Sequence, residues 1–205
     1  MRTVIAAAAM LTVAAAGTAQ AQSKQKDGFY IAPAAGVVFA EDLTSSGPGF
    51  SATLDYDTGW LLTGALGYRM GQFRVEGELG YGEVGGASLD VNGTRVDVDT
   101  DLSMLTGTVA GFYDFAIDAP VTPFIGAGLG FADGEVDAVR VAGMTLDDGG
   151  SSTEFLLFGE AGLSWQVSDT VAIVPSYRYT WVNDGGDGVD DTTIHTLRVG
   201  LRIGF

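Results

Sequence analysis

The last thirteen residues of the chain alternate between apolar and polar side chains, and this period of two most restricts the fold. One face carries His195, Leu197, Val199, Leu201, Ile203 and Phe205. The other face carries Thr196, Arg198, Gly200, Arg202 and Gly204. A repeat of two predicts a β-strand with one apolar and one polar face.

Seven earlier segments carry the same repeat, and together they predict an all-β chain. The alternation is clear in residues 56–70, 71–84, 153–167 and 170–182. It is less regular in residues 28–40, 101–115 and 122–133. Because each segment is long enough for one strand, we expect eight antiparallel strands.

The polar faces of these segments carry charge, which distinguishes between two kinds of barrel. Nine residues form this set: Arg69, Arg74, Glu76, Glu78, Glu154, Glu160, Arg178, Arg198 and Arg202. A soluble barrel of the lipocalin type would place apolar side chains inside. A membrane barrel turns its apolar faces to lipid and its polar faces inward. We therefore predict an eight-stranded antiparallel up-and-down transmembrane β-barrel with a charge network in its lumen.

The width of such a lumen bears on what the charges do. Eight strands enclose an interior just wide enough for side chains to fill. Five arginines and four glutamates are nearly balanced, so they are able to pair with one another. This favours a salt-bridged plug, and a polar pore is the alternative.

The connections between the segments alternate in length. Those after the second, fourth and sixth segments are short, near residues 71–72, 116–121 and 168–169. The other four are longer and span residues 41–55, 85–100, 134–152 and 183–191. Short turns at one end and long loops at the other are typical of outer-membrane barrels.

The first residues have the pattern of an export signal. Arg2 gives a positive start, residues 4–16 are uncharged, and Ala19 and Ala21 supply a small-x-small cleavage pattern. We predict a signal peptide over residues 1–21 and a barrel domain over residues 22–205. Beyond that signal, the longest uncharged stretch is the 14 residues 119–132, too short for a helical span.

The charge balance and the absence of cysteine exclude several functions. The chain has 26 acidic and 10 basic residues, a formal net charge of −16, which argues against nucleic acid as a partner. Because Cys is absent, disulfides, thiolate metal sites and Cys nucleophiles are excluded.

The last long loop offers a weak candidate for a metal site. Asp187, Asp190 and Asp191 follow glycines in partial likeness to a calcium-binding nonapeptide, which normally works in tandem copies. The alternative is a solvated surface loop. Acidic loops beside lipopolysaccharide would share divalent cations with its phosphates.

The C-terminal residues 198–205 carry the most specific likeness to a known family. Arg198, Gly200, Ile203 and Phe205 match the assembly signal of small outer-membrane β-barrel proteins of Gram-negative bacteria. The chain resembles their opacity-type surface proteins and the membrane domain of outer membrane protein A. The resemblance implies contact with outer-membrane lipid and lipopolysaccharide, and recognition of Phe205 by the barrel-assembly machinery.

The single histidine does not complete a catalytic pattern. Outer-membrane lipid A deacylases use a Ser two residues after the His, where this chain has Leu197. Outer-membrane aspartyl-type proteases pair an Asp with the His, and Thr193 stands two before His195. We therefore predict no catalytic residue, no cofactor and no enzyme activity, and a position for His195 at the outer rim.

Aromatic residues near strand ends predict an interfacial girdle. These are Tyr30, Phe73, Phe124, Trp165, Tyr177, Tyr179 and Trp181. We expect a non-enzymatic outer-membrane surface protein with an envelope-structural or adhesion role through its acidic extracellular loops, its host or surface ligand unidentified. A narrow porin-like channel for small solutes is the alternative.

Overall fold

The computed structural model describes residues 27–40, 43–47, 50–56, 58–91, 94–115, 117, 119, 121–136, 140–141, 144–145, 150–183 and 192–205. Its twelve β-strands are β1 (Gly28–Ala40), β2 (Leu43–Gly47), β3 (Phe50–Tyr56), β4 (Gly59–Met70), β5 (Phe73–Val91), β6 (Thr94–Asp114), β7 (Val121–Val136), β8 (Arg140–Val141), β9 (Met144–Thr145), β10 (Gly150–Gln166), β11 (Val171–Asn183) and β12 (Thr192–Gly204).

Eight of these strands close into the predicted antiparallel barrel. The order around it is β1, β4, β5, β6, β7, β10, β11 and β12. Pairing of β12 with β1, from Tyr30–Gly204 to Ala40–Ile194, closes the cylinder. Closure leaves no free edge among these eight strands, as a structure embedded in lipid requires.

The predicted long loops are partly wrong, because strands extend into three of them. β5 and β6 stay paired as far as Val91 and Thr94, although residues 85–100 were expected to be a loop. β2 and β3 occupy part of residues 41–55, and β3 pairs with the extension of β5. Val91, Val96 and Val98 favour a pleated backbone, so the hairpin continues beyond the cylinder.

The two ends of the barrel differ, and we call them the turn end and the loop end. The turn end carries the short connections 71–72, 115–120 and 167–170, the start of β1 and the end of β12. The loop end carries the four longer connections, including residues 184–191, which lie outside the described residues. In the part of the chain that the structure describes, no helix is long and apolar enough to span a membrane.

Burial alternates residue by residue along the barrel strands. Throughout β4 every second residue is buried, and on β5 Leu79 is 68 % exposed beside Glu78 at 7 %. All eight barrel strands turn large apolar side chains outward. A continuous apolar belt of this kind is the surface that lipid covers.

Aromatic pairs mark both rims of the belt. Phe29 contacts Tyr68 at the turn end, with ring centroids 4.8 Å apart, and Trp60 contacts Tyr81 at the loop end, 5.8 Å apart. The predicted girdle residues Phe73, Trp165, Tyr177 and Tyr179 are exposed, and Trp181 is half-buried.

The girdle prediction is wrong for Tyr30 and Phe124. Both are buried inside the barrel, each 2 % exposed. Phe29, Tyr30 and Ile31 are all apolar or aromatic, so their sequence does not reveal which of them faces inward. Strand pairing leaves Phe29 and Ile31 on the outside, and Tyr30 therefore points into the lumen.

Candidate functional site

Four charged side chains inside the barrel form a compact ion cluster, which we call the central cluster. They are Glu78 of β5, Glu160 of β10, Arg178 of β11 and Arg198 of β12. Arg178 binds Glu78 at 2.6 Å and Glu160 at 2.7 Å. Arg198 binds the same two carboxylates at 2.5 Å and 3.1 Å. Each carboxylate is thus shared by two guanidinium groups, and the cluster has no net charge.

The central cluster spans the lumen from wall to wall. Three strands separate β5 from β11 in either direction around the cylinder, so the ion pair between Glu78 and Arg178 joins opposite walls. Arg198 also donates a hydrogen bond of 2.8 Å to the Thr63 hydroxyl on β4. These bonds place side chains across the path that a solute would take.

A second group of charges lies nearer the turn end, and we call it the turn-end cluster. It consists of Arg69, Arg74, Glu76 and Asp114. Asp114 binds Arg74 Nε at 3.0 Å and Arg69 Nη2 at 2.7 Å. Arg74 also pairs with Glu76. The Tyr30 hydroxyl donates to Glu76 at 2.5 Å and accepts from Arg74 at 3.2 Å, so it ties β1 to β5.

Arg202 of β12 belongs to neither cluster. It is 2 % exposed, and its Nη1 donates to the Ser164 hydroxyl at 3.2 Å. Its guanidinium lies 5.5 Å from the ring centre of Tyr30 and 5.8 Å from that of Phe124. Among the residues that the structure describes, no carboxylate forms a salt bridge with Arg202.

Aromatic rings separate the arginines from the glycines of β7. The guanidinium of Arg178 lies 3.9 Å from the ring centre of Phe158, and that of Arg74 lies 4.6 Å from the ring centre of Phe112. A Cβ added at Gly126 would meet the Phe112 ring, and one at Gly128 would meet the Phe158 ring. The missing side chains of β7 therefore make room for the rings that face the arginines.

The rings belong to an apolar cluster that extends toward the loop end. Its buried members are Ala110, Phe112, Phe124, Ala132, Leu156, Phe158 and Val182. A cavity of about 40 Å³ is lined by ions of both clusters and by the Phe112 and Phe124 rings. A space of this size holds a few water molecules.

The structure brings seven of the nine predicted lumen charges into the two clusters, and the exceptions are Arg202 and Glu154. Glu154 lies outside both clusters, near the loop end, where it accepts a hydrogen bond of 2.9 Å from Ser152. The set also lacked Asp114, which is 2 % exposed and binds two arginines. The sequence carries a signal for the inward position of Asp114, because this residue alternates with the aromatic residues Tyr113 and Phe115.

The residues of the predicted assembly signal lie along β12. Arg198 points inward into the central cluster, and Gly200 pairs with Ala34 of β1. Ile203 is paired with Ile31, and the Phe205 amide donates to the Phe29 carbonyl at 3.2 Å. Ala19, Ala21, Asp187, Asp190 and Asp191 lie outside the described residues.

His195 sits among aromatic groups toward the loop end of β12. Its Nδ1 lies 2.5 Å from the Tyr177 hydroxyl, and its ring centre is 5.4 Å from that of Tyr179. Tyr177 and Tyr179 belong to the outward belt, so the histidine is positioned at the outer face of the barrel.

Comparison with known proteins gives a family and several structural likenesses. The family model described as outer membrane protein beta-barrel domain matches residues 5–202. Uncharacterized proteins of Brucella abortus and Brucella suis are 29 % identical over 135 residues, covering 50 % of this chain and 48 % of each relative. The chain thus spans about half the length of the curated relatives it matches.

Two solved structures share the barrel over most of the chain. Neisserial surface protein A superimposes with a TM-score of 0.59 at 25 % identity, covering 87 % of this chain and 97 % of that one. The attachment invasion locus protein Ail of Yersinia pestis, in complex with the heparin analogue sucrose octasulfate, gives a TM-score of 0.51 at 16 % identity. That match covers 88 % of this chain and 99 % of Ail.

Proposed function

This chain belongs to the outer membrane protein beta-barrel domain family, and from that premise we propose that it is a non-enzymatic surface protein with a closed lumen. The family is one of the bacterial outer membrane, so the apolar belt contacts the lipid of that membrane. In this proposal the loop end contacts partners at the cell surface, and the lumen serves as the structural core.

The observation that carries the proposal is the ion bridging across the lumen. Glu78 binds Arg178 on the opposite wall and Arg198 on a third strand, and all three side chains are nearly fully buried. Opening a path through them would leave buried charges without partners, which is costly. This argues for a structural lumen and against a channel.

The distribution of charge indicates what kind of partner the loop end suits. The four predicted long connections contain 14 of the acidic residues and two arginines, Arg95 and Arg140. Five of the ten basic residues are arginines buried inside the barrel. The loop end therefore attracts cations, and we propose that divalent cations link it to lipopolysaccharide phosphates.

The same charge distribution separates this chain from one structural neighbour. The Yersinia pestis protein Ail was solved with a heparin analogue, which is an anionic ligand. Acidic loops repel a polyanion of that kind. We propose that the ligands of this chain are metal cations or basic surfaces rather than sulphated glycans.

In this proposal His195 belongs to the outer belt of the barrel. Its Nδ1 lies against the Tyr177 hydroxyl at the outer face, and Leu197, two residues on, is 55 % exposed in the apolar belt. The signal peptide over residues 1–21, with cleavage after Ala21, remains part of the proposal as the route of export.

Planar-bilayer conductance of the refolded chain tests the closed lumen. We expect no steady channels from protein whose folding is verified by heat-dependent migration on gels. A variant in which Glu78, Glu160, Arg178 and Arg198 are all changed to Ala is the positive control, since it removes the bridge across the lumen. Steady wild-type conductance whose ion selectivity shifts in a Glu78→Gln variant would instead establish the narrow channel.

Binding of divalent cations tests the role of the loop end. Calcium titrated onto lipopolysaccharide-containing vesicles with the inserted barrel should increase retention of lipopolysaccharide by the barrel. Changing Asp187, Asp190 and Asp191 to Asn should weaken that response, whereas Asp169→Asn, at the turn end, should not. An equal response of all three proteins would contradict the proposed cation bridge.

A further inference from the structure

Three buried arginines, Arg69, Arg74 and Arg202, each keep one side-chain N–H without a hydrogen-bond partner among the described residues, and of these Arg74 and Arg202 line the lumen cavity. Among the described residues, Nη2 of Arg74 and Nε of Arg202 make no hydrogen bond. Arg74 is 1 % exposed and Arg202 is 2 % exposed. A buried N–H on a charged group is costly to leave unsatisfied, and the cost is larger than for a neutral donor.

Both side chains line the same cavity. The space of about 40 Å³ between the two ion clusters has Arg74 and Arg202 in its wall, together with Ser176 and Arg198. The two guanidinium groups also share one ring, because Phe124 lies 5.0 Å from that of Arg74 and 5.8 Å from that of Arg202. Both residues with these unsatisfied donors therefore line one cavity and contact one ring.

The charges around this cavity do not balance. The central cluster is neutral, with two arginines and two glutamates. The cavity wall as a whole holds four arginines, Arg74, Arg178, Arg198 and Arg202, against the three glutamates Glu76, Glu78 and Glu160, which leaves one positive charge in excess. Burial of a net charge in a low-dielectric interior is unfavourable unless an opposite charge accompanies it.

The carboxylates that line the cavity are already engaged. Glu78 and Glu160 each bind Arg178 and Arg198. Glu76 binds Arg74 and accepts the hydrogen bond of Tyr30. The excess charge thus has no protein counter-ion available in the cavity wall.

We propose that the cavity binds one small monovalent anion, such as chloride, held by Nη2 of Arg74 and Nε of Arg202. A monatomic anion fits within the volume with room for water beside it, neutralises the excess charge and would accept both free N–H groups. It is a structural counter-ion of the lumen, so the stability of the barrel depends on halide. This site is separate from any ligand at the loop end.

Crystals of the refolded barrel grown in bromide locate the anion directly. The expected result is an anomalous peak in the cavity, within hydrogen-bonding distance of Arg74 and Arg202. A cavity without an anomalous peak, whose density refines as water in crystals grown with bromide, would overturn the proposal.

Unfolding in chloride and in gluconate at equal ionic strength measures how much chloride binding stabilises the folded barrel. A chloride concentration ten times the dissociation constant should shift the wild-type unfolding equilibrium about elevenfold toward the folded state. Arg202→Met keeps the apolar stem and removes the excess charge, so its equilibrium should be the same in both salts. Arg95→Gln, at the loop end, should keep the wild-type response.

If Arg202→Met does not fold, the wild-type stabilities in chloride and gluconate and the bromide crystals still test the proposal. Equal wild-type stability in chloride and gluconate would overturn the proposal. A chloride effect of the same size in Arg202→Met would also overturn it, because that effect would not depend on the site.

Discussion

β5 and β7 flank the same neighbour, β6, yet they line the lumen with opposite chemistry. The inward positions of β5 toward the turn end are Arg74, Glu76 and Glu78, all buried. Those of β7 are Phe124, Gly126, Gly128, Gly130 and Ala132, which carry no charge. One strand thus supplies ions to the interior, and the other supplies space.

The contrast explains how a narrow barrel accommodates so many buried arginines. The ions of β5 find partners on β6, β11 and β12, while the glycines of β7 leave room for the Phe112 and Phe158 rings. Each of these rings faces a guanidinium group on its other side. The buried arginines therefore depend on the glycines of β7. These glycines leave room for the rings, and without the rings the arginines would lose their cation–π contacts.

Removing one charge from the central cluster should have the largest effect. Arg178→Met leaves Glu78 and Glu160 sharing a single arginine, so one buried negative charge is uncompensated. We expect a loss of about 3–5 kcal/mol in the free energy of unfolding. Urea titration of the barrel in lipid vesicles, followed by tryptophan fluorescence, gives this value.

A double variant tests whether charge imbalance is the cause. Arg178→Met combined with Glu160→Gln restores neutrality, and it should recover about half of the loss. A double variant as unstable as the single one would mean that lost packing against Phe158, rather than unpaired charge, dominates.

Truncation in the apolar cluster should cost somewhat less. Leu156 is 3 % exposed, and Leu156→Ala leaves a cavity without leaving a charge. We expect a loss of about 3 kcal/mol, and below about 1.5 kcal/mol for the volume-conserving Leu156→Met. If Leu156→Ala costs more than Arg178→Met in the same titration, the apolar cluster contributes more to the free energy of unfolding than the central cluster does.

Loss of the Tyr30 hydroxyl should have an intermediate effect. Tyr30→Phe removes a buried donor to Glu76 and an acceptor for Arg74, and hydrogen bonds to charged groups contribute about 1.5–3 kcal/mol. Tyr177→Phe, which removes an exposed hydroxyl beside His195, should cost less than about 1 kcal/mol. Equal losses would show that burial in the charge network adds nothing to the Tyr30 bond.

The smallest effect should come from a single methyl group on β4. A Cβ at Gly67 would meet the Tyr30 ring, so Gly67→Ala should displace that ring at a cost of about 1–3 kcal/mol. Gly64 lies on the same strand with nothing within 4 Å of an added Cβ, and Gly64→Ala should change stability by less than about 0.5 kcal/mol. Similar values for the two variants would mean that the turn-end cluster is loosely packed.

The order of the strands and the faces of most of them were readable from the sequence. A period of two is a local property, so the outward belt of β4, β5, β10 and β12 follows from neighbouring residues alone. Arginine and glutamate on the other face then required a polar interior. The family match and the closed barrel confirm that fold.

The inward faces of two parts of the lumen could not be predicted from the sequence, because their residues do not alternate between polar and apolar side chains. The inward positions of β7 from Gly126 to Gly130 are glycines, which have no side chain to be polar or apolar. Around Tyr30, every residue is apolar or aromatic, and its inward position emerged only from pairing with β4 and β12. Sequence reasoning therefore assigned Tyr30 and Phe124 to the membrane interface.

By itself, then, the sequence determined which side chains are charged, how many strands close the barrel and which faces most of them turn inward. Only the tertiary structure decided the partners, since Arg178 meets Glu78 across 100 residues of chain. Closure of the cylinder sets the register between strands, and the register sets which opposite walls meet. For the same physical reason, only closure left Arg202 buried without a carboxylate among the described residues.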